Sequence, residues 1–306
     1  MDTARNTQFA EISMVSEKRR RTRRLKTGDC VIAAICVFLI IIYLAPFLNI
    51  IARSLSSPNA LVNNRVSFWP VDFTPDSYVY VFSDAAFSRS LVFTAILTVI
   101  CTIVSMTMTV FAAYPLVYDL KGGRFINLMI IFTMYFSAGT IPNYLLMKQL
   151  HLLDNPLVLI LPNCLSVFNM IILRSFFFNI PDSLRESAEL DGAGPVRILM
   201  NIYLPLSGPV LATLALFYAV GRWNGFSDAL MYITDIKYQP IQLKLWQIIN
   251  NRQSIEIASQ EGFATPAASE GLKAASVMFA TVPILVVYPW LQRYFIAGVT
   301  IGAVKG

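Results

Sequence analysis

The sequence predicts an all-α, polytopic membrane protein with six transmembrane helices, and three observations carry that prediction. Hydrophobic residues form 56% of the 306-residue chain and charged residues only 14%, where a soluble domain holds about a quarter charged residues. Mean hydropathy is +0.60. Six runs contain no Asp, Glu, Lys or Arg: Cys30 to Ala52, Ser90 to Tyr114, Phe125 to Met147, Asn155 to Leu173, Ile198 to Gly221, and Ala274 to Gln292. Each reaches the length of about 18 residues that a spanning helix needs. A charge at a helix centre costs roughly 2.5 to 3.5 kcal/mol on insertion, so charge-free runs are the informative ones.

The amino-terminal 29 residues read as a basic arm. Lys18-Arg19-Arg20-Arg21-Thr22-Arg23-Arg24-Leu25-Lys26 accounts for much of the net charge of +6. Directly ahead of the first apolar run, such a cluster holds its end in the cytoplasm. That position speaks against nucleic acid as the partner and against a dedicated anionic-lipid site. The first run is longer than a signal-peptide core and no small-residue cleavage site follows it, so it reads as a retained anchor. Residues 30–89 hold this first helix and an external segment with Ser56-Ser57-Pro58, Phe68-Trp69-Pro70 and Thr74-Pro75-Asp76, turn chemistry mixed with interfacial aromatics. Residues 90–297 form a five-helix core. In its fifth run Pro205 and Pro209 argue against one straight helix from Ile198. Residues 298–306 are a tail. With the amino end inside, six crossings put the carboxyl terminus and the loops after the second and fourth helices in the cytoplasm.

The loop after the fourth run is a polar hairpin, residues 182–205. Pro181-Asp182-Ser183 is a helix-start signal, and Ser183 with Glu186 has the spacing of a capping box. A short helix from about Leu184 to Asp191 follows. Gly192 and Gly194 are able to take the positive φ that closes it, and Pro195 suits the first position of the next helix. The expected corner exposes Ala188, Gly192, Ala193 and Gly194, small enough for close approach by another protein's backbone. Glu186, Glu189 and Asp191 offer charge for pairing. The bland alternative is a connector folded against its own bundle.

Glu186-Ser187-Ala188-Glu189-Leu190-Asp191-Gly192-Ala193, followed after eight residues by Ile202-Tyr203-Leu204-Pro205, resembles the coupling motif of binding-protein-dependent ABC importer permeases. Only Ser187 departs from the family's usual alanine. The resemblance implies a type I (MetI-like) permease fold. It also implies docking of this hairpin on an ATP-hydrolysing subunit through Glu186, Ala188, Glu189, Asp191, Gly192, Ala193, Ile202 and Pro205. In the family the first Glu pairs with the ATPase and the Gly permits the turn into its cleft. Trp223-Asn224-Gly225-Phe226, Gly139-Thr140-Ile141-Pro142 and the terminal Gly302-Ala303-Val304-Lys305-Gly306 are similar to the carbohydrate-uptake branch, the MalG-like subunits of maltose-type importers. Segments Phe136 to Asp154 and Ser166 to Asn169 are similar to permeases for complex oligosaccharides of the aldouronate, rhamnogalacturonan and alginate type. In maltose-type relatives the extreme tail reaches the ATPase, which implies a docking role for Lys305.

Candidates for a sugar path are Arg222, Trp223 and Asn224, where the fifth helix becomes irregular, with Tyr135 and Asn143 behind them. Amides and charges suit hydroxyls, and aromatic faces suit the apolar side of a sugar ring. Trp223 equally suits an interfacial belt. The loop from Phe226 to Lys273 is the largest external surface and suits contact with a solute-binding protein. No GxSxG, HExxH or Walker A pattern occurs, His151 is the one histidine, and Cys30, Cys36, Cys101 and Cys164 lack metal-ligand spacing. The chain reads as a permease, not an enzyme, binding no cofactor or metal itself; ATP and Mg belong to the partner ATPase. The expected partners are a second homologous permease, two copies of that ATPase, an extracellular solute-binding lipoprotein, an oligosaccharide and membrane lipid, in a bacterial cell membrane. A permease for a non-sugar solute, a secondary transporter and a membrane scaffold or receptor are the competing readings. A secondary transporter calls for repeats and intramembrane acidic groups that the six runs lack.

Overall fold

The computed structural model describes residues 27–118, 121–250, 270–286 and 289. The basic cluster, residues 251–269 of the expected external loop, and the tail with Lys305 lie outside the described residues. Among the described residues every regular element is helical, and the sole extended pairing is an isolated antiparallel bridge between Ser56 and Phe73.

The chain divides into two units, residues 1–49 and 50–306. The first holds most of helix α1 (Thr27–Ser54), whose apolar side chains, Val31, Phe38 and Ile41 among them, are exposed. That is the surface a helix surrounded by lipid requires. Cys30 and Cys36 are exposed there too, whereas Cys101 is buried.

In the second unit, α2 (Pro58–Val62) and α3 (Asp76–Ser83) lie in the segment that the sequence marks as turns and aromatics. It is pinned rather than loose. Ser56 Oγ donates to the Ala52 carbonyl at 2.6 Å and accepts from the Val71 amide at 3.1 Å, and Arg53 pairs with Glu270 at 2.6 Å. Helix α4 (Ala85–Ala113) starts where the Asp84 carboxylate caps the Ala86 amide at 2.8 Å, and it gives way to a 3-10 turn at Pro115. Its 29 residues span roughly 44 Å at about 1.5 Å per residue, ample for a bilayer core of about 30 Å.

The other apolar runs are not single straight helices. Helices α5 (Gly123–Tyr135) and α6 (Thr140–Gln149) meet at 108°. The bend lies at Gly139, whose φ of +89° with ψ of 172° is a region closed to residues with a Cβ. The fourth run is a 3-10 turn (Pro156–Leu159), a loop, and the 12-residue helix α7 (Val167–Phe178), capped by Ser166. The polar hairpin supplies α8 (Asp182–Leu190). Helix α9 (Pro195–Leu206) meets α10 (Gly208–Trp223) at 85°, as Pro205 and Pro209 led us to expect. Pro205 has no N–H to return to the Asn201 carbonyl, and the turn Leu199–Tyr203 before it is wound as a π-helix. Two described helices are long and apolar enough to cross a membrane, or up to four if each bent pair is one span. Then come α11 (Ser227–Tyr232), α12 (Ile241–Asn250) and α13 (270–286).

Helix α4 is the post on which this unit is hung, packing most extensively on α10 and also on α7 and α12. One core cluster gathers Tyr114, Leu173, Phe177, Tyr203 and Leu214; a second holds Leu97, Cys101, Leu159 and Ile233. Between His151 and Asp154, both at positive φ, the chain turns back and is clamped to the residues after α11. The Asp154 carboxylate accepts from the Thr234 hydroxyl, the Asp235 amide and the Thr234 amide, bonds that hold it below the usual carboxylate range. His151 is an exposed turn residue.

Two outcomes follow. Gly139→Ala forces a Cβ into the forbidden backbone region and is expected to cost about 1 to 3 kcal/mol, read as a lower melting temperature in detergent with membrane insertion intact. Because the folded-state acidity of Asp154 is depressed, its contribution to stability is full above about pH 4 and fades as pH falls through the lowered value. The melting-temperature gap between wild type and Asp154→Asn should therefore be constant near neutrality and close in acid.

Candidate coupling corner and membrane cavity

Helix α8 begins two residues before the expected start, with Pro181 at its N-cap and no side-chain cap. The capping box is thus not formed: Ser183 lies inside the helix, where its carbonyl accepts from the Ser187 hydroxyl at 2.8 Å. That leaves Glu186 exposed, with no hydrogen bond or ion pair among the described residues. At the other end the closure is a Schellman motif. The Gly192 amide donates to the Glu189 carbonyl at 3.0 Å and the Ala193 amide to the Ala188 carbonyl at 2.9 Å, with Gly192 at φ +78°. Gly194 is extended at φ −73°, so only one of the two glycines uses a positive φ, and Pro195 takes the first position of α9.

The corner's outer surface differs from the expectation in composition. Ala188 and Ala193 are half-buried against the aromatic core, and Ile202 packs there too. Gly192, Gly194, Glu186 and Asp191 are exposed as expected, and with them Pro205, Leu190 at 89% and Val196 at 67%. Leu190 was missed by composition reading, although a leucine placed at the last turn of a helix just before an Asp-Gly corner has nowhere to hide. Glu189 is engaged: Arg185 pairs with it at 3.2 Å and with Asp182 at 3.3 Å, while its guanidinium lies 5.3 Å from the Tyr118 ring centre. The i, i+3 and i, i+4 spacing of Asp182, Arg185 and Glu189 was the available signal.

The corner is fixed to the bundle by phenols. The Tyr114 hydroxyl donates to the Pro195 carbonyl at 3.0 Å and shares a 2.5 Å hydrogen bond with the Tyr118 hydroxyl. The Tyr114 ring meets Tyr203 edge-on at 5.1 Å, and Tyr203 meets Phe177 at 5.3 Å. Tyr114 is therefore an anchor of the hairpin.

Away from the corner, α4, the loop before α7 with the start of that helix, the end of α10 and the start of α11 line an open cavity of about 870 Å³. Its polar lining comes from Ser105, Asn163, Ser166, Asn169, Tyr218, Asn224, Ser227 and the Arg222–Asp228 pair, with Phe168, Phe217 and Phe226 as aromatic surface. Tyr218 braces it, sharing a hydrogen bond with Thr109 at 2.7 Å and accepting from the Ser166 amide at 3.0 Å. Arg222 is 9% exposed. Its Nη1 donates to the Leu159 carbonyl at 3.0 Å and to Asp228 at 2.6 Å, and its Nη2 donates to Asp228 at 3.1 Å. Gly225 makes this possible, because a Cβ there would stand 2.3 Å from Nη2.

Of the path candidates, Arg222 and Asn224 line the cavity. Trp223 does not; its indole N–H donates to the Ala280 carbonyl at 3.3 Å. Tyr135, 80% exposed at the end of α5, and Asn143, exposed on α6, lie outside the lining as well. Ser105, Asn163, Asn169 and Tyr218 were missed, since polar residues inside apolar runs look alike until the helices are placed.

Long and broken apolar helices, a cavity that sets polar groups in a largely apolar lining, and a projecting polar corner define a membrane permease. Residues 81–301 match the family model described as "Binding-protein-dependent transport system inner membrane component", and the chain belongs to that family. It is 39% identical over 280 residues to the polygalacturonan/rhamnogalacturonan transport system permease protein YtcP of Bacillus subtilis (strain 168), spanning 91% of this chain and 98% of the relative. It is 42% identical over 268 residues to protein LplC of the same organism, spanning 87% and 90%. Its fold superposes with a TM-score of 0.83, at 32% identity and over 90% of this chain and 98% of the other, on a chain in the crystal structure of a bacterial ABC transporter involved in the import of the acidic polysaccharide alginate. The chain is accordingly the permease subunit of an ABC importer, a membrane component and not itself an enzyme.

Gly225→Ala should push the guanidinium of Arg222 off Asp228. The pair is buried, so weakening it should lower the melting temperature in detergent.

Proposed function

We propose that this chain forms half of a translocation pathway for oligosaccharides in a bacterial cell membrane, with the corner around Gly192 as the point where ATP hydrolysis is felt. The observation that carries the reading is the corner itself: a left-handed glycine closing a short helix whose exposed tip offers Glu186, Leu190, Asp191 and Val196 while Tyr114 holds its base. An exposed leucine beside free carboxylates is a surface built for a socket. The family's dependence on a binding protein, and relatives described as carrying polygalacturonan, rhamnogalacturonan or alginate, support the cargo class. The cavity's mixture of hydroxyls, amides and phenyl rings suits a sugar.

In this reading a second homologous permease completes the path and two copies of an ABC ATPase dock at the two corners. ATP and Mg are held by that ATPase. Both termini and the corner face the cytoplasm, with Lys305 near the ATPase. An extracellular solute-binding lipoprotein delivers cargo on the opposite side, against the surface that includes α11 and α12. Closure of the ATPase pair draws the corners together and biases the bundle toward an outward-open state, and hydrolysis resets it. Because Tyr114 and the ring cluster join the corner to α4 and α7, displacement of α8 moves the walls of the cavity.

Purification of the tagged chain with its co-expressed genomic neighbours, followed by reconstitution, tests this. A second permease and an ATPase should co-purify, and loaded binding protein should stimulate ATP hydrolysis. Glu186→Lys and Gly192→Pro, the latter incompatible with φ +78°, should abolish transport and cargo-stimulated hydrolysis while leaving membrane insertion intact. Wild-type transport in both variants would mean that the corner is not the docking point.

A further inference from the structure

We propose that Arg222 is the carboxylate-reading group of the cavity, so that the pathway favours acidic over neutral oligosaccharides; this rests on the oligosaccharide reading above. A guanidinium carries five N–H donors. Three are spent, two on Asp228 and one on the Leu159 carbonyl. The remaining two are the neighbouring pair on Nε and Nη2. Nε is buried without any acceptor, and no second acceptor meets Nη2 among the described residues. Orphaning a buried donor on a charged group is costly, and a cation this well enclosed is an unusual place to find one.

The position of the orphan explains its use. Arg222 and Asp228 both line the cavity, and the other polar lining groups near them, Ser105, Asn163, Asn169 and Tyr218, are uncharged. Hydroxyls and amides serve sugar hydroxyls of any kind. Only the guanidinium distinguishes a uronate carboxylate from a hydroxymethyl group, because hydrogen bonds between ionised partners are about twice as strong as neutral ones and a carboxylate spans two adjacent N–H groups. Asp228 holds the guanidinium through the opposite fork and sets its orientation; it neutralises the cation while the cavity is empty. Nε is buried here without an acceptor, and the carboxylate reaches it as the side chains around it rearrange around cargo.

The test uses the reconstituted complex of this chain with its partner permease and ATPase. The binding protein is saturated with trigalacturonate or with the neutral trisaccharide made from it by carboxyl reduction, so that its own preference drops out. Wild type should transport the acidic sugar about tenfold faster, the discrimination a charge-assisted hydrogen bond supplies. Removing both charges together, Arg222→Gln with Asp228→Asn, should bring the acid-to-neutral ratio close to one. Arg222→Lys, which keeps the charge and a partner for Asp228 but has no Nε–H, should do the same and serves if the double variant does not assemble. An unchanged acid-to-neutral ratio in either variant, or no preference in wild type, overturns the proposal. If wild type transports neither sugar, the oligosaccharide reading falls and takes this one with it.

Discussion

A backbone group in hydrocarbon has no water to turn to, and everything distinctive in this protein depends on how that constraint is met. Where α4 runs straight, its peptide groups satisfy one another. Where α5 gives way to α6, where α7 starts late, and where α9 meets α10, they do not, and the interruptions must face protein or a polar space. Ser166 caps α7 and is itself held by the Tyr218 hydroxyl. The break after α10 is covered by Arg222, which ties the end of that helix to the start of α11 and to the 3-10 turn at Leu159. The cavity lies beside two of these repairs, the start of α7 and the end of α10, and takes polar groups from both.

The corner at Gly192 obeys a different rule. It is polar, lies at the end of the bundle, and owes its shape to local chemistry: a Schellman closure, an arginine spanning two carboxylates on one helix face, and a proline to begin the next helix. Its stiffness comes from the aromatic cluster below. Surface ion pairs such as those of Arg185 are worth only a few tenths of a kcal/mol each. Edge-on rings add about 0.5 to 1.5 kcal/mol per pair, and the phenol of Tyr114 adds a hydrogen bond to the Pro195 carbonyl. A corner held in this way moves with the bundle instead of folding away from it, which suits a joint that transmits displacement.

Much of this was legible beforehand. Charge-free runs announced the membrane, Pro205 and Pro209 announced a broken fifth segment, and Asp191-Gly192-Ala193 announced the corner. The capping box was a false friend. Pro181 starts the helix two residues early, so Ser183 and Glu186 have the right spacing at the wrong register, and Glu186 is left available outside. Gly139 was read as part of a motif within a continuous helix and proved to be a 108° bend. Tyr135 and Asn143 were plausible sugar contacts by chemistry, but the bend turns them away from the cavity lining.

The sequence by itself determined the class of solvent, the position and polarity of the corner, and the break at Pro205 and Pro209, because these follow from burial cost, backbone freedom and missing N–H groups along a few neighbouring residues. Only the tertiary structure decided which polar residues share a cavity. Ser105, Asn163, Asn169 and Tyr218 are scattered over more than a hundred positions, and nothing local distinguishes them from polar groups that merely bond within their own helix. Arg222 finds Asp228 six residues away and Leu159 63 residues away, through a glycine whose missing side chain matters only once the guanidinium is beside it. Those juxtapositions arise from packing across distant segments, and packing is the one term that no short stretch of sequence contains.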